Sequence, residues 1–164
     1  MEAATVQQAR PAKNLLTAIL ISGLIVGTFD LTAASIQTLI YQGNLIRLFK
    51  YIATGVYGKE ALDGGSAYAL QGVLFHYCIA MIWTIAFFLI YPKIAWLSKN
   101  RILTGILYGL IVWLIMNRVV VPLSNTSKNP FNISRAMIAA GILIVAIGIP
   151  LSYMANAHYR RNTN

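Results

Sequence analysis

Acid is scarce in this chain. Glu2, Asp30, Glu60 and Asp63 are its only carboxylate side chains, against 13 Lys and Arg. No acidic pair is spaced for acid–base catalysis, and neither a Gly-Lys phosphate loop nor a nucleophile elbow occurs. Cysteine is as scarce: Cys78 stands alone, so an internal disulfide and a thiolate metal site are both excluded. His76 lies two residues from Cys78, nearly opposite it on a helix, so the two do not form a chelate. No catalytic residue, metal ligand or cofactor is therefore assigned, and the expectation is a protein that is not an enzyme.

Charge of either sign is thin, at 10% of residues, while 58% are hydrophobic and the mean hydropathy is +0.67. Such a chain cannot cover a soluble surface, and it reads as one integral membrane unit with the lipid bilayer as its first partner. The net charge of +9 resembles a nucleic-acid signal, but the basic residues are scattered at segment ends, so no nucleic-acid partner is expected.

The apolar runs fall at residues 15–41, 67–91, 102–121 and 131–157, each long enough to cross a hydrocarbon core of about 30 Å. The predicted fold is all-α: four transmembrane helices in a single domain over residues 15–157, between polar tails at 1–14 and 158–164. Arg10 and Lys13 before an apolar run also resemble a signal peptide, but the run continues past Asp30 and no Ala-x-Ala site follows. Tyr68 and Tyr91 bracket the second run as an aromatic belt would, Ser66 stands where an N-cap belongs, Pro92 and Pro122 close two runs, and Pro150 predicts a kink in the last.

Between the first two runs, Leu45, Ile46, Leu48, Phe49, Ile52, Ala53 and Val56 form one apolar stripe, with Arg47, Lys50 and Tyr51 elsewhere. This predicts an amphipathic helix over residues 45–57, lying in the membrane interface or capping the bundle. Asn125-Thr-Ser127 and Asn132-Ile-Ser134 match the glycosylation pattern, and both are read as chance. Four spans put the N-tail, the Lys93–Arg101 loop and the C-tail on one side with seven basic residues. The other side holds about five, partly offset by Glu60 and Asp63, so both termini are expected in the cytoplasm.

Asp30 stands out, because a carboxyl at mid-helix costs about 2.5 to 3.5 kcal/mol on insertion scales and needs neutrality, a partner or water. It shares a helix face with Gly23, Gly27 and Ala34, where Gly23-Leu-Ile-Val-Gly27 is a small-xxx-small pattern. His76 shares a face with Ala69, Gly72 and Ala80. Counted from the same side, Asp30 lies about 16 Å deep and His76 about 14 Å. The two can therefore meet and exchange a proton, or make one structural hydrogen bond. Arg118, about 6 Å from that side, is read first as a snorkelling residue and second as an ion-pair partner of Asp30. Gly105 and Gly109 repeat the small-residue pattern on the third span. Two functions follow: a bundle that self-associates or joins a larger membrane complex through its glycine faces, or a small transporter or proton-handling protein using Asp30 and His76.

Gly58-Lys-Glu-Ala-Leu-Asp-Gly-Gly65, Gln71-Gly-Val-Leu-Phe-His76, Tyr108-Gly109 and Met116-Asn-Arg-Val-Val-Val-Pro-Leu-Ser124 together resemble the YagU-like family of small four-span bacterial inner-membrane proteins of unknown function. The likeness covers most of residues 15–157. It implies a bacterial inner membrane and four helices, and it carries over no catalytic residue.

Overall fold

The computed structural model describes residues 14–41, 43–126 and 132–162, without the side chains of 161 and 162. Outside the described residues lie 1–13 with Arg10 and Lys13, Gln42, 127–131 with Lys128 and the third residue of the Asn125 motif, and 163–164. Among the described residues every regular element is helical: α1 (Leu15–Ile40), α2 (Leu45–Tyr57), α3 (Glu60–Asp63), α4 (Ala67–Ile90), α5 (Arg101–Ile115), α6 (Val121–Leu123), α7 (Ile133–Leu143) and α8 (Ile149–Asn162). Four helical lengths are long and apolar enough to cross a membrane: Leu15–Ile40, Ala67–Lys93, Arg101–Leu123 and Ile133–Arg160. The protein is an all-α membrane protein with the expected four spans.

Asparagine starts four of these helices. The side chains of Asn14, Asn44, Asn100 and Asn132 accept from the backbone N–H of Leu16, Arg47, Leu103 and Arg135, filling donors that a first turn leaves open. Ser66, expected to cap α4, makes no side-chain cap bond and is itself in helical conformation. The side-chain oxygen of Asn132 thus accepts in a cap, and the side-chain amide nitrogen of Asn125 donates to the Val56 carbonyl.

Two prolines reshape the spans in the same way. Met116–Val120 and Ile144–Gly148 are π-helical, joining α5 to α6 and α7 to α8. Pro122 and Pro150 follow them, and the residues four positions back, Arg118 and Ala146, sit at the centre of each widened turn. A proline there has no N–H to donate and its ring crowds that carbonyl, and the wider turn makes room. Ahead of Pro150, where a kink was expected, the structure has this π-helical turn. The last helix also runs on to Asn162, past the 157 at which the span was expected to end.

The spans are packed tightly over half their length only. The end carrying α8 and the α4–α5 connection, here the tail end, holds the core: Ile19, Val26, Phe87, Phe88, Tyr91, Tyr108, Val112, Ile147, Leu151 and Ala155. Tyr91 belongs to it at 4% exposure rather than to an aromatic belt. It stacks on Tyr159, with centroids 5.8 Å apart, and accepts a 2.9 Å bond from the Asn156 amide. Tyr108 and Tyr159 donate to the carbonyls of Trp83 and Phe88, so the aromatic hydroxyls buried here are satisfied.

Beyond Gly27 on α1 and Val112 on α5, and before Ala146 on the fourth span, no described residue of those spans is fully buried. α4 buries only Ala69 and Gly72 ahead of Ala80, and at Gly72 the neighbour is α2, whose Phe49 carbonyl and Ala53 amide lie directly against it. Toward the other end, here the far end, the spans are therefore less buried, although α7 still lies against α1 and α5. The amphipathic helix is docked on α4. Its C-terminal half is held by the Asn125 N–H to the Gly55 carbonyl and by Thr54 to Thr126.

A polar pair at the last closed layer

Asp30 and His76 meet. His76 Nε2 lies 3.9 Å from Asp30 Oδ2, with the two side chains 13% and 17% exposed. What brings them together is the close approach of α1 and α4 at small residues. A Cβ on Gly27 would stand 3.2 Å from that of Ala80 and 3.0 Å from the Tyr77 ring, and one on Gly23 would stand 2.7 Å from Met81 Sδ. With no side chain at Gly27, its backbone carbonyl is open to the imidazole, and His76 Nε2 lies 2.9 Å from that oxygen. A carbonyl only accepts, so Nε2 is the protonated nitrogen and Nδ1 is the ring's open acceptor.

At 3.9 Å the carboxylate is about 1 Å outside hydrogen-bond reach of the same N–H. A small side-chain rotation therefore moves that N–H between the Gly27 carbonyl and Asp30. Thr28 flanks the pair, its hydroxyl 2.8 Å from the Leu24 carbonyl and 2.9 Å from the Tyr77 hydroxyl. Tyr77 in turn meets the His76 ring edge-on.

The pair sits where burial falls off. Val26 and Gly27 one turn before Asp30, and Ala80 one turn after His76, are buried; toward the far end α1 buries no further residue and α4 only Ala69 and Gly72. Ala34 and Gln37, which continue the Asp30 face of α1, are only half-buried. On the tail side the same face runs into the apolar core.

The other sequence candidates separate from the pair. Arg118 is exposed within its π-helical turn, and among the described residues the only ion pair is that of Asp30 with His76, so the Asp30–Arg118 reading fails. Gly72 serves the α2 contact. Gly105 and Gly109 face the fourth span, where added Cβ atoms would stand 2.6 Å from Ile149 Cα and 2.6 Å from Ile144 Cα. Gly148, on the other side of that seam, lies against the Gly105 carbonyl oxygen. Every glycine singled out for packing is thus occupied within the chain. Among the described residues no three His, Cys, Asp or Glu are placed to hold a metal ion. Sequence reasoning missed the Gly27 carbonyl as the imidazole's partner, because a backbone acceptor leaves no residue-type signal.

Fold and site together define a small polytopic helical membrane protein with a titratable pair between its first two spans. No protein-family model matches the chain, and neither does any curated protein or solved structure.

Proposed function

We propose that this is a small, non-enzymatic proton-handling membrane protein in which Asp30 and His76 take up and pass a proton. What supports this most is the 3.9 Å approach of carboxylate and imidazole at the last layer in which α1 is fully buried. A proton arriving at Nδ1 makes an imidazolium whose Nε2 proton then moves to Asp30 Oδ2. The products are a neutral imidazole and a neutral acid, and charge is balanced on both sides of the step. The transfer keeps the net charge at the pair at zero on both sides, and before the proton arrives the pair carries one negative charge, which attracts it.

In this reading the conformation described is open to one side only, and passing the proton on requires the tail end to open in turn. Water reaches Asp30 along the Ala34 and Gln37 face from the far end, while Phe87, Phe88, Tyr108 and Leu151 close the tail end. Proton flux into proteoliposomes tests the function: Asp30→Asn abolishes it, and equal flux for the variant and the native chain removes the reading. On the charge bias and the YagU-like resemblance, the setting is a bacterial inner membrane with both termini cytoplasmic.

Assembly with itself or with a larger membrane complex is the second reading. It is favoured by α7, of which no residue is buried and whose Met137 is 68% exposed. The glycine faces first expected to drive assembly are taken up internally, so any partner would have to use other surfaces.

A further inference from the structure

Away from the Asp30–His76 pair, a cleft of about 440 Å³ opens at the far end between the start of α2 and the turn that precedes α4. Asn44, Ile46, Arg47, Lys50, Leu62 and Asp63 line it. It has a built wall. The Lys50 ammonium donates to the carbonyls of Leu62 and Gly64, tying that turn to α2 and setting Asp63 into the same cleft as Arg47. Two of the three ammonium protons are used in this way, which leaves one for a ligand.

Arg47 and Asp63 are both exposed, and they form no ion pair with each other. Two unpaired opposite charges in one cleft match a ligand that itself carries both signs. The place matches as well: the lining residues follow directly on the end of α1 at Ile40 and precede the start of α4 at Ala67, where phosphate groups of a bilayer lie. Ile46 and Leu62 offer the apolar edge along which an acyl chain could leave.

We propose that this cleft binds a phosphate monoester or diester carrying a primary amine, the headgroup chemistry of an ethanolamine phospholipid. Arg47 and the free Lys50 proton hold the phosphate, and Asp63 accepts from the ammonium. A primary ammonium donates hydrogen bonds to a carboxylate and a trimethylammonium cannot, so Asp63 sets the preference for ethanolamine over choline.

The test is native mass spectrometry of the full chain released from vesicles of equimolar phosphatidylethanolamine, phosphatidylcholine and phosphatidylglycerol. The ethanolamine lipid is expected to be retained about two- to fivefold over the choline lipid, the range of an exposed charged contact. Asp63→Asn should erase that preference while keeping phospholipid binding, and Arg47→Gln should lower retention of all three. Both side chains are exposed, so both variants should keep native helicity by circular dichroism. Displacement of the lipid by dissolved O-phosphoethanolamine would support the chemistry and assign the free compound; failure to displace would support it and assign the lipid. Equal retention of ethanolamine and choline lipids, or a preference that survives Asp63→Asn, overturns the proposal. Neither result bears on the proton reading, since no residue is shared.

Discussion

Gly148→Ala is the sharpest test of how the bundle is held. A Cβ there would be driven into the Gly105 carbonyl oxygen, with the Gly109 amide nitrogen 2.9 Å away. Both obstacles are backbone, so no rotamer change relieves them, and the third and fourth spans must move apart by about 1 Å to restore ordinary contact. A gap of that size forfeits a quarter to a half of the dispersion energy of each atom pair along the seam, where Tyr108, Val112, Ile147 and Leu151 pack. Adding the usual cost of overpacking gives a loss of about 3 kcal/mol. Gly141→Ala is the control, because nothing lies within 4 Å of a Cβ at that position; it should be neutral or gain about 0.5 to 1 kcal/mol from helix propensity. Both are read as the midpoint of reversible unfolding in mixed micelles of rising dodecyl sulfate fraction. A Gly148→Ala midpoint equal to the native one, or an equal loss for both variants, would refute the reasoning.

Gly23→Ala presses on the thioether end of Met81, which can swing aside, and touches Thr84 Oγ1 at an ordinary 3.5 Å, so the same assay should show a loss below about 1 kcal/mol. Asn156→Ala removes the bond to the buried Tyr91 hydroxyl and should cost about 1 to 2 kcal/mol, with a rise in tyrosine accessibility to perturbing solvent. Arg118→Gln should leave both stability and proton flux within error, since the side chain is exposed and makes no ion pair with Asp30. In a Cys78→Ser background, Ala34→Cys should react with a membrane-impermeant thiol reagent added from the far side, and Thr84→Cys, at a fully buried position, from neither; labelling of Ala34→Cys only from the tail side would reverse the assigned access.

The membrane class, the four spans and the depth match of Asp30 with His76 were legible because hydropathy and helical rise are properties of sequence position alone. The amphipathic stripe of α2 was equally plain, yet its docking on α4 was not, because the contact runs through the backbone of Phe49 and the missing side chain of Gly72. Glycine spacing announced close helix approach but not with which helix. Gly105 and Gly109 serve the fourth span of the same chain through a π-helical turn that only Pro150 hinted at. Tyr91 was misplaced for a related reason: its position at a span end suggests lipid headgroups, whereas the helix that continues to Asn162 covers it with Asn156 and Tyr159. The loss of burial beyond Asp30 is a relation among several helices, and no single segment encodes it.

The central claim is that Asp30 and His76 titrate together. It is tested most directly by proton uptake of the purified protein in lipid, compared among the native chain, Asp30→Asn and His76→Gln between about pH 4 and 8. The expected result is an uptake step in the native chain that both single variants lose or displace; identical curves for all three would make the pair a packing contact and remove proton handling.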